Sequence, residues 1–456
     1  MVMNKNSIYK KALALAIPMM IQSGITNAVG LIDNLMVGSL GVESVTAVSI
    51  AGQLFFVYSL AIFGGLSGPG IFLAQYYGQK NEEGVKNIFR LKWWIVTLVT
   101  LAGILIFIFF GEQLILLYFK GDAEKIDPEL TLRLARQYLL FMLPGLIPFG
   151  ITQIYAGSLR ETGESFKPMI AGICSVAADI VFNYLLIFGK LGLPALGVKG
   201  AAIATDIARV VEMVVIIVWS YTKIEKHSFL KGALAKILIP GDVARKVLIK
   251  GLPIFLNEFL WAGGIAFMTQ CYSIRSLDIL AGANISNNLC NLLNVVFVAL
   301  GNAVGILSGQ MLGASEFERA KKDSLKLMRF TGLLCLGLTV VLVALAKFFP
   351  MLYDAPDEIR TIGTWMIVIN ALFFPVQGYL NALYFTLRSG GKTVITFLFD
   401  SIYTWVLPVP VAFLLCKYTS LSIYLVFIIV QSADLIKLGI GYILIKKGIW
   451  INNLVE

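Results

Sequence analysis

Long apolar runs recur along this chain from one end to the other, and they limit what it can fold into. Residues 93–110, for example, run from Trp93 to Phe110 without a charge. A run of about 20 apolar residues is what a helix needs to cross a bilayer. Of the 456 residues, 58% are hydrophobic and only 14% charged, well below the roughly 25% charged that soluble domains carry. The runs are too many for a soluble domain with one anchor. They are about twice as long as the strands of an outer-membrane barrel and do not alternate as those do. The expected class is an all-α polytopic membrane protein.

Twelve helical spans are expected, at about 10–36, 45–76, 92–118, 131–158, 168–189, 198–221, 247–272, 280–311, 327–349, 359–386, 393–416 and 421–445. Lys5, Lys10 and Lys11 precede an apolar run that continues past Met36 with no small-residue cleavage site, so the first span is expected to stay in the protein. The N-terminus, the loops after even-numbered spans and the C-terminal end hold 25 of the 37 Lys and Arg residues, among them Lys80, Lys86, Arg160, Lys167, the run from Lys223 to Lys250, Arg388 and Lys447. The opposite side holds 10, and Arg209 and Lys437 fall within spans. Such an excess marks the cytoplasmic side, which places both termini there. The net charge of +10 is therefore a topology signal, and no nucleic-acid partner is expected. The five cysteines (Cys174, Cys271, Cys290, Cys335 and Cys416) lack metal-ligand spacing and read as small packing residues. The one histidine, His227, lies in a basic loop, which argues against a histidine-based metal centre.

The second half repeats the first at an offset of 235 residues. Pro18 matches Pro253, Ile50 matches Ile285, Leu54 matches Leu289, Gly70 matches Gly305, Gln75 matches Gln310 and Gly78 matches Gly313. Farther on the offset shortens to 228, where LRETG at 159–163 meets LRSGG at 387–391. Six spans per half put both halves in the same orientation, a parallel repeat about an axis along the membrane normal. The expected organisation is an N-lobe at 1–221, a basic cytoplasmic linker at 222–246 and a C-lobe at 247–456: two pseudo-symmetric six-helix lobes around a central cavity.

Charged and polar residues inside the spans are the candidates for function. Asp33 sits in IPMMIQSGITNAVGLIDNLM, an otherwise uncharged stretch, and Asp179, Glu258 and Asp400 lie in similar surroundings. A carboxylate in a membrane costs several kcal/mol unless something offsets it, so such residues mark ion or substrate pathways. Ser175, Asp179 and Asn183 are spaced by four and share one helix face, as do Gln22, Thr26 and Asp33. Span 8 carries Asn284, Asn287, Asn288, Asn291 and Asn294, and span 10 carries Asn370, Gln377 and Asn381. The bland reading of any one amide is an interhelical hydrogen bond worth roughly 1 kcal/mol. Asp206 with Arg209, and Asp434 with Lys437, stand three apart and are expected to pair locally. Pro144, Pro148, Pro375, Pro408 and Pro410 are expected to kink or unwind their spans.

Taken in order, these motifs resemble the multidrug and toxic compound extrusion (MATE) family over nearly the whole chain. The segments are IPMMIQSGITNAVGLIDNLMVGSLG at 17–41, FNYLLIFGKLGLPALGVKGAAIAT at 182–205, LPIFLNEFLW at 252–261 and LRSGGKT at 387–393. The resemblance implies secondary active export of drugs and organic cations by antiport with Na⁺ or H⁺. It implies an ion-coupling site at Asp33, Asp179, Asn183 and Thr205, where Na⁺ or a proton would bind. Glu258 matches an acidic C-lobe position of another branch. The order of Asp179 and Asn183 departs from the family pattern, which has asparagine first and aspartate second, or two asparagines.

On that resemblance the expected function is alternating-access efflux, with no catalysis and no cofactor beyond the coupling ion. Gln53, Asn257, Glu258, Asn381 and Asp400 are the expected substrate and cavity residues. Oxygen donors suit a hard cation such as Na⁺, whereas a proton would neutralise one carboxylate. Ion uptake would bend or repack span 1 near Pro18 and Gly30 and displace a large amphipathic cation held against Phe55, Phe56, Trp261 or Met268. The expected setting is the lipid bilayer of a cell membrane, read as a bacterial inner membrane, and a monomer suffices. The rival from the same superfamily is a flippase or exporter of a lipid-linked or other amphipathic metabolite, whose phosphate groups call for Arg and Lys in the cavity. A membrane-embedded enzyme is disfavoured by the lack of a nucleophile–base pair or zinc spacing, and ATP-driven export by the lack of a G-x-x-x-x-G-K-[ST] loop.

Overall fold

The computed structural model describes residues 7–119, 127–222, 224–225, 227–236 and 238–456. Lys5 and Lys223, counted above for their charge, lie outside the described residues. Fifteen α-helices follow one another and no strand forms among the described residues: α1 (Ser7–Gly38), α2 (Val42–Gly78), α3 (Glu82–Leu116), α4 (Pro128–Phe141), α5 (Leu146–Glu161), α6 (Phe166–Phe188), α7 (Val198–Thr222), α8 (Gly241–Ser273), α9 (Leu277–Gly313), α10 (Phe317–Ala346), α11 (Asp357–Ser389), α12 (Thr393–Phe397), α13 (Tyr403–Val406), α14 (Pro408–Tyr418) and α15 (Ile423–Lys446). Among the described residues, ten helical spans are long and apolar enough to cross a membrane, or eleven when α4 and α5 are taken as one bent span. The remaining expected span, α7, is a 25-residue helix that carries Asp206, Arg209 and Glu212. The protein is a multi-pass membrane protein.

Local chemistry sets the helix ends. Asp127 caps α4 by accepting from the N–H groups of Glu129 and Leu130 at 3.0 and 3.2 Å, with Pro128 in the first turn. Gly189 ends α6 in the left-handed region at φ 65°. The prolines act unequally. Pro144 lies in the break between α4 and α5, which meet at 51°, and Pro408 opens α14 after the break at Leu407. Pro148 and Pro410 fall in the first turns of α5 and α14 and break nothing. Pro375 lies inside α11, which runs on through it; the kink expected there does not become a break. Before Pro408, residues Leu398–Ile402 form a π-helical turn.

The chain folds into two compact units. One contains Met1–Met20, Ala74–Asn81 and Lys246–Glu456; the other contains Ile21–Leu73 and Glu82–Arg245. In the first unit α9, α10, α11 and α15 pack around Leu15, Met19, Leu300, Leu383, Leu387 and the fully buried Trp450. In the second, α3 packs on α4 and α5, and α6 on α7. Phe89 and Tyr155 meet edge-on there at 5.3 Å. The basic stretch after α7 is docked on α3: Arg90 Nε donates to Ala233 O at 2.6 Å, and Phe229 meets Phe89 edge-on at 6.0 Å.

The sequence repeat appears in the first unit as a reciprocal contact. A Cβ added to Gly78 would overlap the backbone carbonyl of Gln310, and one added to Gly313 would overlap that of Gln75. Gln75 and Gln310, like Gly78 and Gly313, are repeat partners, so each helix end uses its glycine to admit the other's backbone.

Candidate functional site

Three of the four expected ion-site residues come together in the second unit. Asn183 Nδ2 donates to Asp33 Oδ1 at 2.9 Å and to Asp179 Oδ2 at 3.1 Å. The amide therefore bridges α1 and α6. Its orientation follows from its neighbours, since the NH₂ end must face the two carboxylates. Asn183 Oδ1 and Asp179 Oδ1 are left buried with no hydrogen-bond partner. Buried polar atoms are nearly always satisfied, so two orphaned oxygens on neighbouring side chains call for a ligand that accepts their lone pairs. Asp179 and Asn183 are 7% and 2% exposed, which keeps bulk water from serving.

Thr205 is present but committed. Its hydroxyl donates to Ala201 O at 3.1 Å, one turn back on α7, so its oxygen lone pairs stay available beside Asp179. Tyr138 on α4, which the sequence did not single out, lies beside Thr205 and within electrostatic reach of both carboxylates. No local pattern marks it, because only the α4–α7 packing brings it in. The stripe of span 5 divides in function: Ser175 donates to Ala208 O at 2.9 Å and ties α6 to α7, while the two residues below it face Asp33.

The expected pairing of Asp206 with Arg209 does not form at salt-bridge distance. The Arg209 guanidinium carbon instead lies 3.9 Å from the Phe55 ring centroid and 5.6 Å from that of Phe149, with Nη1 unpartnered. Phe55 is thus held by the protein's own cation. Gln53 and Phe56 are exposed. Arg160 Nη2 donates to Gln22 Oε1 at 2.8 Å.

In the first unit the acids have basic partners. Lys437 Nζ lies 2.7 Å from Asp400 Oδ1, so the expected local pair with Asp434 is replaced by a pair across helices. Asn257 Nδ2 donates to Asp400 Oδ2 at 3.1 Å and to Tyr384 Oη at 3.2 Å, and accepts from Ser401 at 2.7 Å. Glu258 faces Arg388 at 4.0 Å. This mirrors the other unit, where the repeat partner of Arg388, Arg160, reaches the same level of α1. Asn381 packs its Oδ1, buried and unpartnered, against Gly301. Asn370 and Gln377 take the bland role, in a chain from Ser286 through Asn370 and Gln431 to Gln377. Asn288 bonds Tyr353, and Asn294 bonds Asn291.

The arrangement is a membrane-embedded oxygen-donor site in one unit and an acid–base network in the other. The family model MatE matches the chain twice, over residues 18–185 and 253–414, beginning at the same 235-residue offset that relates Pro18 to Pro253. The chain belongs to the MATE family. Among relatives of this transporter are the probable multidrug resistance protein NorM of Thermotoga maritima, 24% identical over 91% of this chain and 87% of that one, and the probable multidrug resistance protein YoeA of Bacillus subtilis, 25% identical over 96% and 94%. The fold matches that of the Vibrio cholerae MATE transporter VcmN in its bent form, with a TM-score of 0.85 at 17% identity, covering 97% of each chain. This MATE transporter therefore shares the two-lobe, twelve-span architecture of its family.

Proposed function

We propose that this MATE transporter is a multidrug exporter that exchanges amphipathic organic cations for Na⁺ or H⁺. The observation that carries the reading is the cluster of Asp33, Asn183 and Asp179, with two buried oxygens lacking partners. Two carboxylates, an amide oxygen and the Thr205 hydroxyl supply the hard oxygen ligands a Na⁺ ion selects. A proton taken up by either carboxylate would neutralise the same pair. Either ion relieves two negative charges held close together, so its arrival and departure change what α1 and α6 can do. Exchange follows if the ion and the organic cation prefer different facing states.

The names of NorM and YoeA support multidrug substrates. The charge asymmetry of the loops supports a topology with both termini in the cytoplasm, and the bacterial relatives support a bacterial cytoplasmic membrane. One chain carries both lobes, which suits a monomer. A phosphate-handling carrier would need basic groups free to meet its substrate, whereas Lys437 and Arg388 both face acids and the Arg209 guanidinium lies over the Phe55 ring.

The test is efflux of a fluorescent organic cation from proteoliposomes under an imposed Na⁺ or pH gradient, for the natural chain and Asp33→Asn. The expected result is efflux driven by one gradient and lost in the variant. Failure of both gradients to move any of a broad panel of cations overturns the reading.

A further inference from the structure

The two halves differ in how they hold positive charge. At the 228-residue offset, Asp206 and Arg209 of α7 correspond to Asp434 and Lys437 of α15. Each half thus carries a base at the same point of its last long helix. Arg209 spends its charge on the faces of Phe55 and Phe149. Lys437 enters a more complete enclosure. Its ammonium lies 2.7 Å from Asp400 Oδ1, 5.2 Å from the Phe399 ring centroid and 5.9 Å from that of Tyr403.

The carboxylate and the Tyr403 ring of that enclosure are braced by hydrogen bonds. Asn257 holds the second oxygen of Asp400, and Ser401 holds Asn257 through both its side-chain and backbone oxygens. The Tyr403 hydroxyl donates to Ala433 O at 2.6 Å, which sets its ring. Phe399, Asp400 and Ser401 come from one π-helical turn, a distortion that recurs at functional sites. A braced carboxylate between aromatic faces is the chemistry that recognises an ammonium group.

The oxygen-donor set of the second unit has no copy here. The repeat partners of Asp33, Asp179, Asn183 and Thr205 are Met268, Leu407, Val411 and Ala433, all apolar. Conversely, Asp400 stands where the other half has Gly172. The Asp400 enclosure is therefore not a degenerate second coupling site.

We propose that Asp400, Asn257, Phe399 and Tyr403 form a primary-ammonium pocket whose occupant is the chain's own Lys437, and that this tethered cation keeps free cations out of the first unit. The proposal concerns binding and does not rest on antiport. Lys437→Ala removes three carbons and the ammonium, which n-propylammonium replaces. The experiment follows thermal unfolding of the purified full chain in detergent, for the natural protein, Lys437→Ala and Asp400→Asn/Lys437→Ala. Each is titrated with n-propylammonium, with Na⁺ and tetramethylammonium at matched ionic strength.

The expected result is a Lys437→Ala protein that melts several degrees lower and recovers with n-propylammonium more than with the other two cations, while the natural chain and the double variant do not respond. Equal responses in all three proteins, or none in Lys437→Ala, overturn the proposal. Should Lys437→Ala fail to fold, Lys437→Met keeps the apolar stem. Ammonium ion is then expected to raise its melting temperature unless Asp400→Asn is also present, and no such rise overturns the proposal. Because nothing is transported in this assay, its failure is separable from a failure of the Asp33→Asn efflux test.

Discussion

Asn183 Nδ2 donates to Asp33 Oδ1 at 2.9 Å across 150 residues of sequence, joining α6 to α1. The same nitrogen serves Asp179 at 3.1 Å. One amide thus serves both carboxylates, and it is the only donor that Asp33 and Asp179 are seen to share among the described residues.

Asn183→Leu should therefore damage coupling more than folding. Without the amide the two carboxylates lose the donor they share, and the site keeps its charge but loses an oxygen ligand. Gradient-driven efflux should fall about tenfold or more, equivalent to about 1.4 kcal/mol of lost ion binding. Asn183→Ser, which keeps a hydroxyl, should fall less. Efflux rates in proteoliposomes at matched protein content measure this, and equal rates for all three chains would remove Asn183 from the site.

If the coupling ion is Na⁺, protons must compete for the same oxygens. Carboxylate ligands bind metal only when deprotonated, so acid weakens metal binding. The sign is fixed: lowering the pH should raise the Na⁺ concentration for half-maximal efflux, by at most about tenfold per pH unit for each proton displaced. A proton-coupled exporter would instead show efflux that rises with the inward pH gradient at zero Na⁺. Measuring the Na⁺ dependence at several pH values distinguishes the two.

How far the sequence disclosed this depends on how local the cause is. The spans were legible because apolar length is a property of contiguous residues, and the breaks at Pro144 and Pro408 were legible because proline acts on its own helix. The Asp33–Asp179 cluster was reachable only through resemblance, since nothing in the spacing of α1 and α6 says which faces meet. Lys437 shows the limit of local rules. The i, i+3 relation to Asp434 predicts one partner, but the π turn of Leu398–Ile402 brings Asp400 to the ammonium from another helix. Tyr138 and the stacking of Arg209 on Phe55 left no trace in the sequence at all.

Gln75 should prove a structural residue despite lying in a membrane helix. It is fully buried, donates to Ser389 O at 2.9 Å and Asn452 O at 3.2 Å, and accepts from Leu454 N at 2.7 Å. Gln75→Leu strands three backbone groups, each costing about 1–3 kcal/mol when buried without a partner. The variant should melt well below the natural chain, or yield little folded protein by fluorescence-detected size exclusion. An unchanged melting temperature would show that water takes over those groups.

The reciprocal contact of Gly78 and Gly313 gives a test in which two effects oppose. Within a helix, alanine is favoured over glycine by about 1 kcal/mol. Gly337→Ala, with nothing within 4 Å of the new methyl group, should be neutral or stabilising. Gly78→Ala meets the Gln310 carbonyl, and Gly313→Ala meets that of Gln75. A backbone carbonyl inside a helix cannot rotate aside, so the two helix ends must separate, and overpacking of that kind typically costs about 1–3 kcal/mol. The clash outweighs the propensity gain, and both variants should melt below the natural chain while Gly337→Ala does not. Because the two contacts are related by the repeat, the double variant should lose less than the sum of the singles: once one pair of helix ends is forced apart, the other has room. Thermal unfolding of the natural chain and the four variants in one detergent settles the sign of each effect and tests that coupling.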